Sequence, residues 1–226
     1  MTLTARMPYE IKDQVIEYRT MDGQPYEPPY GDIHHRTGVH RGVGDAEVLA
    51  SYALGSDWLI GAGFTIPTGE TQPNPIEAGR QGIPHQHLLF GSGTVDPRIG
   101  VQWTRHVAGV RLIASADARI PVYENRHGFR APATVRWSAG PSVPVGSTGL
   151  ALQWAGQYQS IGEWSGEIDE GTGFHNGGVF LNASFLLPGS LRVSPGIYIE
   201  AYSNSLSDQS FTQKPTFSVV ISRLFR

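Results

Sequence analysis

The sequence predicts an all-β protein, and more narrowly an up-and-down antiparallel β-barrel of about ten strands that crosses a membrane. Three observations carry this expectation. Apolar and polar residues trade places along about ten segments, the period-two pattern of strands whose two faces meet different surroundings. The connections between those segments are long and short by turns, the asymmetry of outer-membrane barrels. Lys12 and Lys214 are the two lysines among 17 basic residues, and a pore lining favours arginine, whose planar head donates several hydrogen bonds at once.

The strands are read at 2–9, 45–54, 57–67, 96–105, 110–122, 130–139, 148–160, 177–187, 190–202 and 215–225. Most reach the 9 to 11 residues or so that a tilted strand needs to cross a bilayer. In the second segment Ala46, Val48, Ala50, Tyr52 and Leu54 share a face, and in the third Trp58, Ile60, Ala62, Phe64 and Ile66 do. Ile99, Val101 and Trp103 follow, then Leu112, Ala114, Ala116 and Ala118 set against Arg111, Ser115, Asp117 and Arg119. Val135 and Trp137, then Leu150, Leu152, Trp154 and Tyr158, then Val193, Ile197 and Ile199 continue the apolar face. Aromatics near segment ends suit the girdles at lipid interfaces. The last segment puts Phe217, Val219, Ile221 and Phe225 on one side. It is similar to the aromatic-ended assembly strand of outer-membrane barrels, although Arg223 interrupts it and Arg226 follows.

Short connections are expected at Leu54–Asp57, His106–Gly109, Ala139–Ser147 and Leu187–Ser190, where Gly or Pro sets tight geometry in most. Residues 10–44, 68–95, 161–176 and 203–214 are long connections and 123–129 is intermediate. The expected organisation is thus a single barrel domain over 1–226, with 10–44 and 68–95 as long outer loops.

Composition removes several classes. A chain of 226 residues fits one domain. With no cysteine, disulfides and thiolate metal sites are excluded. A formal charge of -3 gives no basic footprint for nucleic acid. No run of about 18 apolar residues offers a transmembrane helix, and Met1–Glu10 has no basic region followed by an apolar core, so no secretion signal is read there. The alternative is a soluble lipocalin-like barrel carrying an apolar ligand, which has the same alternation with the apolar face turned inward. Loop asymmetry, scarce lysine, strand length and the terminal aromatic together favour the membrane barrel.

Two constellations could carry function. His34, His35, His40, His85, His87, His127 and His175 fall in the connections assigned to the outer end, and His106 falls at the opposite turn. In an extended loop His85 and His87 point the same way and could share a transition metal, Cu(II), Zn(II) or Ni(II), with Asp32, Glu70 or Glu77 as further ligands. The plainer reading is that polar loops accumulate histidine. The second constellation is the polar face, with Arg98, Arg111, Asp117, Arg119, Arg130, Arg136, Arg192 and Glu200 expected to line a lumen. Adding Arg6, Asp45 and Glu47 leaves that lumen about three charges positive, which favours anions if it is open. The plainer reading is arginine–carboxylate pairing across strands that fills a narrow barrel. Glu163, Glu167, Asp169 and Glu170 make the 161–176 loop acidic, as a solvated loop is. Glu124, His127 and Ser160 carry the groups of a lipid hydrolase without any local signature of one, so no enzyme is expected.

Three Gly-rich stretches, Gly42-Val-Gly-Asp45, Gly63-Phe-Thr-Ile-Pro-Thr-Gly69 and Gly91-Ser-Gly-Thr-Val-Asp-Pro97, together resemble in order and spacing the outer-membrane transporter-like family named for the meta-pathway of phenol degradation. Taken singly, each is also what a tight turn needs. The resemblance implies a bacterial outer-membrane barrel of about twelve strands that moves small molecules. The ten strands read here are then either complete or the larger part of such a barrel. Its partners would be outer-membrane lipid and a small-molecule or metal-ion solute.

Overall fold

The computed structural model describes residues 1–15, 17–27, 37–85, 89–206 and 214–223. Among them are fifteen strands in chain order: β1 (Thr2–Arg6), β2 (Tyr9–Gln14), β3 (Gly38–Val43), β4 (Ala46–Leu54), β5 (Trp58–Ile66), β6 (Pro97–Val107), β7 (Val110–Arg119), β8 (Phe129–Arg130), β9 (Thr134–Val145), β10 (Thr148–Gln159), β11 (Gly162–Trp164), β12 (Glu167–Asp169), β13 (Phe174–Leu187), β14 (Leu191–Ser205) and β15 (Thr216–Arg223). One short helix, α1 (Pro75–Arg80), precedes β6. None of the described helices is long and apolar enough to cross a membrane, which says nothing about strands.

Ten strands form one antiparallel sheet in the order β1-β4-β5-β6-β7-β9-β10-β13-β14-β15. These correspond to the ten segments read from the alternation. A period of two is a local property of the chain, so it survives whatever the partner strand is. Boundaries move where turns are tighter than expected. The 139–147 connection is strand up to Val145, and Gly146, at φ 61°, makes the turn into β10. Ala108 and Gly109, both at positive φ, close the β6–β7 hairpin in the same way.

The expected outer loops hold structure of their own. Within 10–44, β2 and β3 pair as a separate hairpin, and 68–95 contains α1, whose Asn74 side chain caps the Ile76 and Glu77 amides. β8, β11 and β12 make a second small sheet. Arg130 belongs to that sheet, on β8, because the strand expected from 130 starts only at Thr134. Its position off the main sheet corrects its expected place on the main sheet's polar face. Phe129 and Trp164 pack with tilted rings, centroids 4.5 Å apart, beside Ala131 as the buried apolar cluster of this region.

The main sheet exposes its apolar face and gathers polar side chains on the other. Side chains in register across it put Tyr52, Ile60, Ile99, Val135, Leu152, Leu181, Ile199 and Phe217 on an exposed face. The buried side chains are largely polar: Ser51, Thr65, Asp96, Arg98, Ser142 and Asn176 all lie on or beside the other face. Interior glycines let strands approach and the sheet coil. A Cβ on Gly63 would collide with the Val48 carbonyl, and one on Gly178, at the β13–β14 bulge, with that of Ile199.

Candidate functional site

The polar face encloses three cavities that β7 borders in turn. Arg111 lies on the wall of one of about 590 Å³ at the end with short turns, Ser115 and Asp117 on a middle one of about 840 Å³, and Arg119 on one of about 500 Å³ at the end with long connections. Arg6 of β1 and Thr216 and Ser218 of β15 border the same middle cavity, so the sheet curls enough to bring residues of its two edge strands to one space.

Charge is organised along this interior. In the middle section Arg98, 7% exposed, ion-pairs with Glu47 on one side and with Asp117 on the other, at 2.7 Å. Asp117 also accepts from Arg136, at 2.8 Å from Nη2 and 3.2 Å from Nε. The sequence explains how Arg98 spans from β6 to β4: its register partner on the intervening β5 is Gly63, which has no side chain to block it. Four strands are thereby laced by alternating charges, and each buried charge has a partner, as burial requires. On the same wall Ser115 and Ser138 meet at 2.9 Å, and on β13–β14 Asn176 donates to Glu200 at 3.1 Å.

At the loop end the three Gly-rich stretches interlock. The Asp45 carboxylate accepts from the Gly69 amide at 3.0 Å and from both the amide and the hydroxyl of Ser92 at 2.7 Å. Gly69 and Gly91 lie back to back, leaving no room for a Cβ on either. Asp96 is fully buried: its amide donates to Thr65 Oγ1 at 3.0 Å and its Oδ1 accepts from Thr94 at 2.6 Å. Its Oδ2 and the Arg119 Nε, 4.0 Å apart, have no hydrogen-bond partner among the described residues. Asn125 ties this knot to the small sheet, donating to Ser92 O at 2.8 Å and accepting from the Phe129 amide at 3.1 Å. Sequence reading missed Asn125, Ser92 and Thr94. The signal available for the latter two was Ser-Gly-Thr-Val-Asp, hydroxyls two residues apart leading to a carboxylate, a pattern suited to local side-chain capping.

The expected lumen set is otherwise found on the interior face: Arg98, Arg111, Asp117, Arg119, Arg136, Arg192 and Glu200 share it by register. Arg130 instead pairs with Glu124 at 3.4 Å and Glu163 at 3.6 Å in the small sheet. Of the seven histidines, His34, His35 and His87, together with Asp32, lie outside the described residues. His40 sits on β3 opposite Lys12, and His85 Nδ1 lies 2.8 Å from the Ile83 carbonyl. His127 Nε2 accepts from Arg126 at 3.1 Å, and His175 on β13 faces Tyr202, ring centroids 5.7 Å apart. Among the described residues no three His, Asp or Glu side chains stand together as metal ligands. Glu124, His127 and Ser160 also have other partners: Ser160 accepts from the Ala133 amide at 2.9 Å.

Comparison with known proteins adds no relative: no protein-family model matches the chain, and no curated protein matches its sequence.

Proposed function

We propose that this chain is an outer-membrane β-barrel, closed by β1 against β15, whose polar interior takes up or passes small polar molecules. The observation that carries the reading is the inversion of the sheet, apolar on its exposed face and charged within. In water such a surface would be a very large exposed apolar patch, whereas in a bilayer it is the face that lipid solvates. Strand lengths of 8 to 15 residues from β4 onward in the main sheet agree. So do the exposed Tyr52 and Trp58 beside the β4–β5 turn and the exposed Tyr158 and Tyr202 near the opposite ends of their strands. The resemblance in the Gly-rich stretches points to the same class. A lipocalin-like carrier would need the reverse arrangement, with the apolar face gathered around its ligand. The laced charges of the middle section make this a narrow, selective interior rather than a wide pore.

Refolding with and without neutral detergent tests the proposal. A compact species that forms only in detergent and shifts in gel mobility on boiling is the expected result. A folded, monodisperse chain in plain buffer would overturn it.

A further inference from the structure

We infer that the turn end of the interior is an oxyanion site, in which Arg111 and Arg192 take the carboxylate or phosphate of a soluble anion. The inference rests on the barrel reading above and names the solute class for one end of that interior.

Arg111 on β7 and Arg192 on β14 both border the cavity of about 590 Å³ at the turn end. Three strands separate them in the sheet, so they reach this space from different walls. Deeper in the interior three arginines are matched by carboxylate, while Arg6 at the β1 edge has no ion pair among the described residues: Arg98 has Glu47 and Asp117, Arg136 has Asp117, and Arg119 stands beside Asp96. At the turn end the matching stops. No acidic side chain among the described residues borders the cavity. The Arg111 side chain makes one long contact, 3.4 Å to the Ser142 hydroxyl, and the Arg192 side chain forms no ion pair or hydrogen bond among the described residues. Asp57, on the neighbouring β4–β5 turn, is engaged by Ser56 at 2.6 Å.

The rest of the wall mixes apolar side chains such as Ile113, Phe180 and Leu186 with His106 and uncharged polar groups, and carries no carboxylate among the described residues. Ser184, Ser194 and Asn182 face the cavity beside Ser142. Two guanidinium forks on one cavity supply the charge-assisted donors that an oxyanion takes. The register also settles the source of that anion. Arg111 pairs with Ser142 across β7–β9, and Arg192 lies opposite Leu186 and Ser222, all on the interior face. A lipid headgroup would meet the outer face, where Arg105 stands opposite Leu112. The ligand is therefore a solute within the barrel.

Titrating inorganic phosphate calorimetrically into the full chain, folded in neutral maltoside micelles, tests this. Phosphate should bind, and Arg111→Gln with Arg192→Gln should weaken it by tenfold or more, about what losing charge-assisted hydrogen bonds implies. Arg105→Gln removes the same charge at the same end and should leave binding within twofold. Arg111→Lys with Arg192→Lys keeps the charge, removes the forks, and should fall between. Absence of phosphate binding by the native chain, or equal loss in Arg105→Gln, overturns the inference. Heat-dependent gel mobility of each preparation reads the barrel separately: a chain that folds with this mobility but ignores phosphate refutes the site alone. A chain that folds only without detergent refutes the barrel, and phosphate titration of that form still judges the arginine pair.

Discussion

The two ends of the interior use polar side chains to opposite effect. Where long segments join the strands, Asp45, Ser92, Thr94, Asp96 and Asn125 are turned on one another and on backbone amides, and the small sheet buries Trp164 to 2% exposure over them. Where short turns join the strands, Arg111 and Arg192 face open space with hydroxyls for company. A satisfied buried polar group holds structure, and a charge left unmatched at a wet surface is free to meet a ligand. On the proposal above, the loop end is architecture and the turn end is recognition. Either role can be broken without touching the other.

The largest expected effect is at the loop end. Trp164→Ala removes the centre of the apolar cluster and should lower stability by about 4 kcal/mol, measured by urea unfolding from micelles. Phosphate binding at the turn end should stay within twofold in the folded variant; a matching loss of affinity would show the two ends to be one coupled unit. Asp45→Ala leaves the Gly69 amide and both Ser92 donors without their acceptor and should cost about 3 kcal/mol. Its signature is local: proteolysis should appear first in the 67–96 connection, which Asp45 pins. Cleavage starting instead at the short turns would reverse the assignment of which end is held.

The strands of the main sheet and the faces they present were legible in the sequence because alternation is written residue by residue. Leu112 to Ala118 and Arg111 to Arg119 needed no partner to be sorted. The loop end was legible only in pieces. Its three Gly-rich stretches could be read as turns, but that they meet depends on contacts such as Ser92 with Asp45, 47 residues apart. The elements missed altogether, β2, β3, β8, β11, β12 and α1, have two to six residues each. Segments so short carry too few repeats of any period to declare themselves, and distant pairings such as Trp164 with Phe129 hold some of them. Histidine density was a property of composition: the described His40, His85, His127 and His175 have no common centre. The charge lacing was half legible, since alternation put Arg98 and Asp117 on one face but could not reveal that Gly63 opens the path to Glu47.

The outer face sets the scale against which both ends operate, and adjacent residues test it. Leu152 is half exposed on the apolar side and Gln153 borders the interior. In a bilayer, Leu152→Arg should cost about 2 to 3 kcal/mol, as arginine on a lipid face does, while Gln153→Arg should be nearly neutral. Folding yields in lipid vesicles measure both. Equal tolerance of the two would remove the lipid-facing surface and with it the meaning of an interior.

The smallest effect belongs to the rim. Arg80 of α1 holds Glu167 of β12 with two hydrogen bonds, at 3.0 and 2.8 Å, which straps the 68–95 segment to the small sheet. Both side chains are well exposed, so solvent and salt screen the pair and its contribution should lie below about 1 kcal/mol. Arg80→Ala should therefore leave the unfolding midpoint almost unmoved and increase hydrogen exchange only in α1 and β12. That result would divide the loop end into a knot that holds and a strap that merely positions. A destabilisation as large as that of Asp45→Ala would instead make the helix part of the knot, and the loop end would then be one cooperative cap seated on the main sheet.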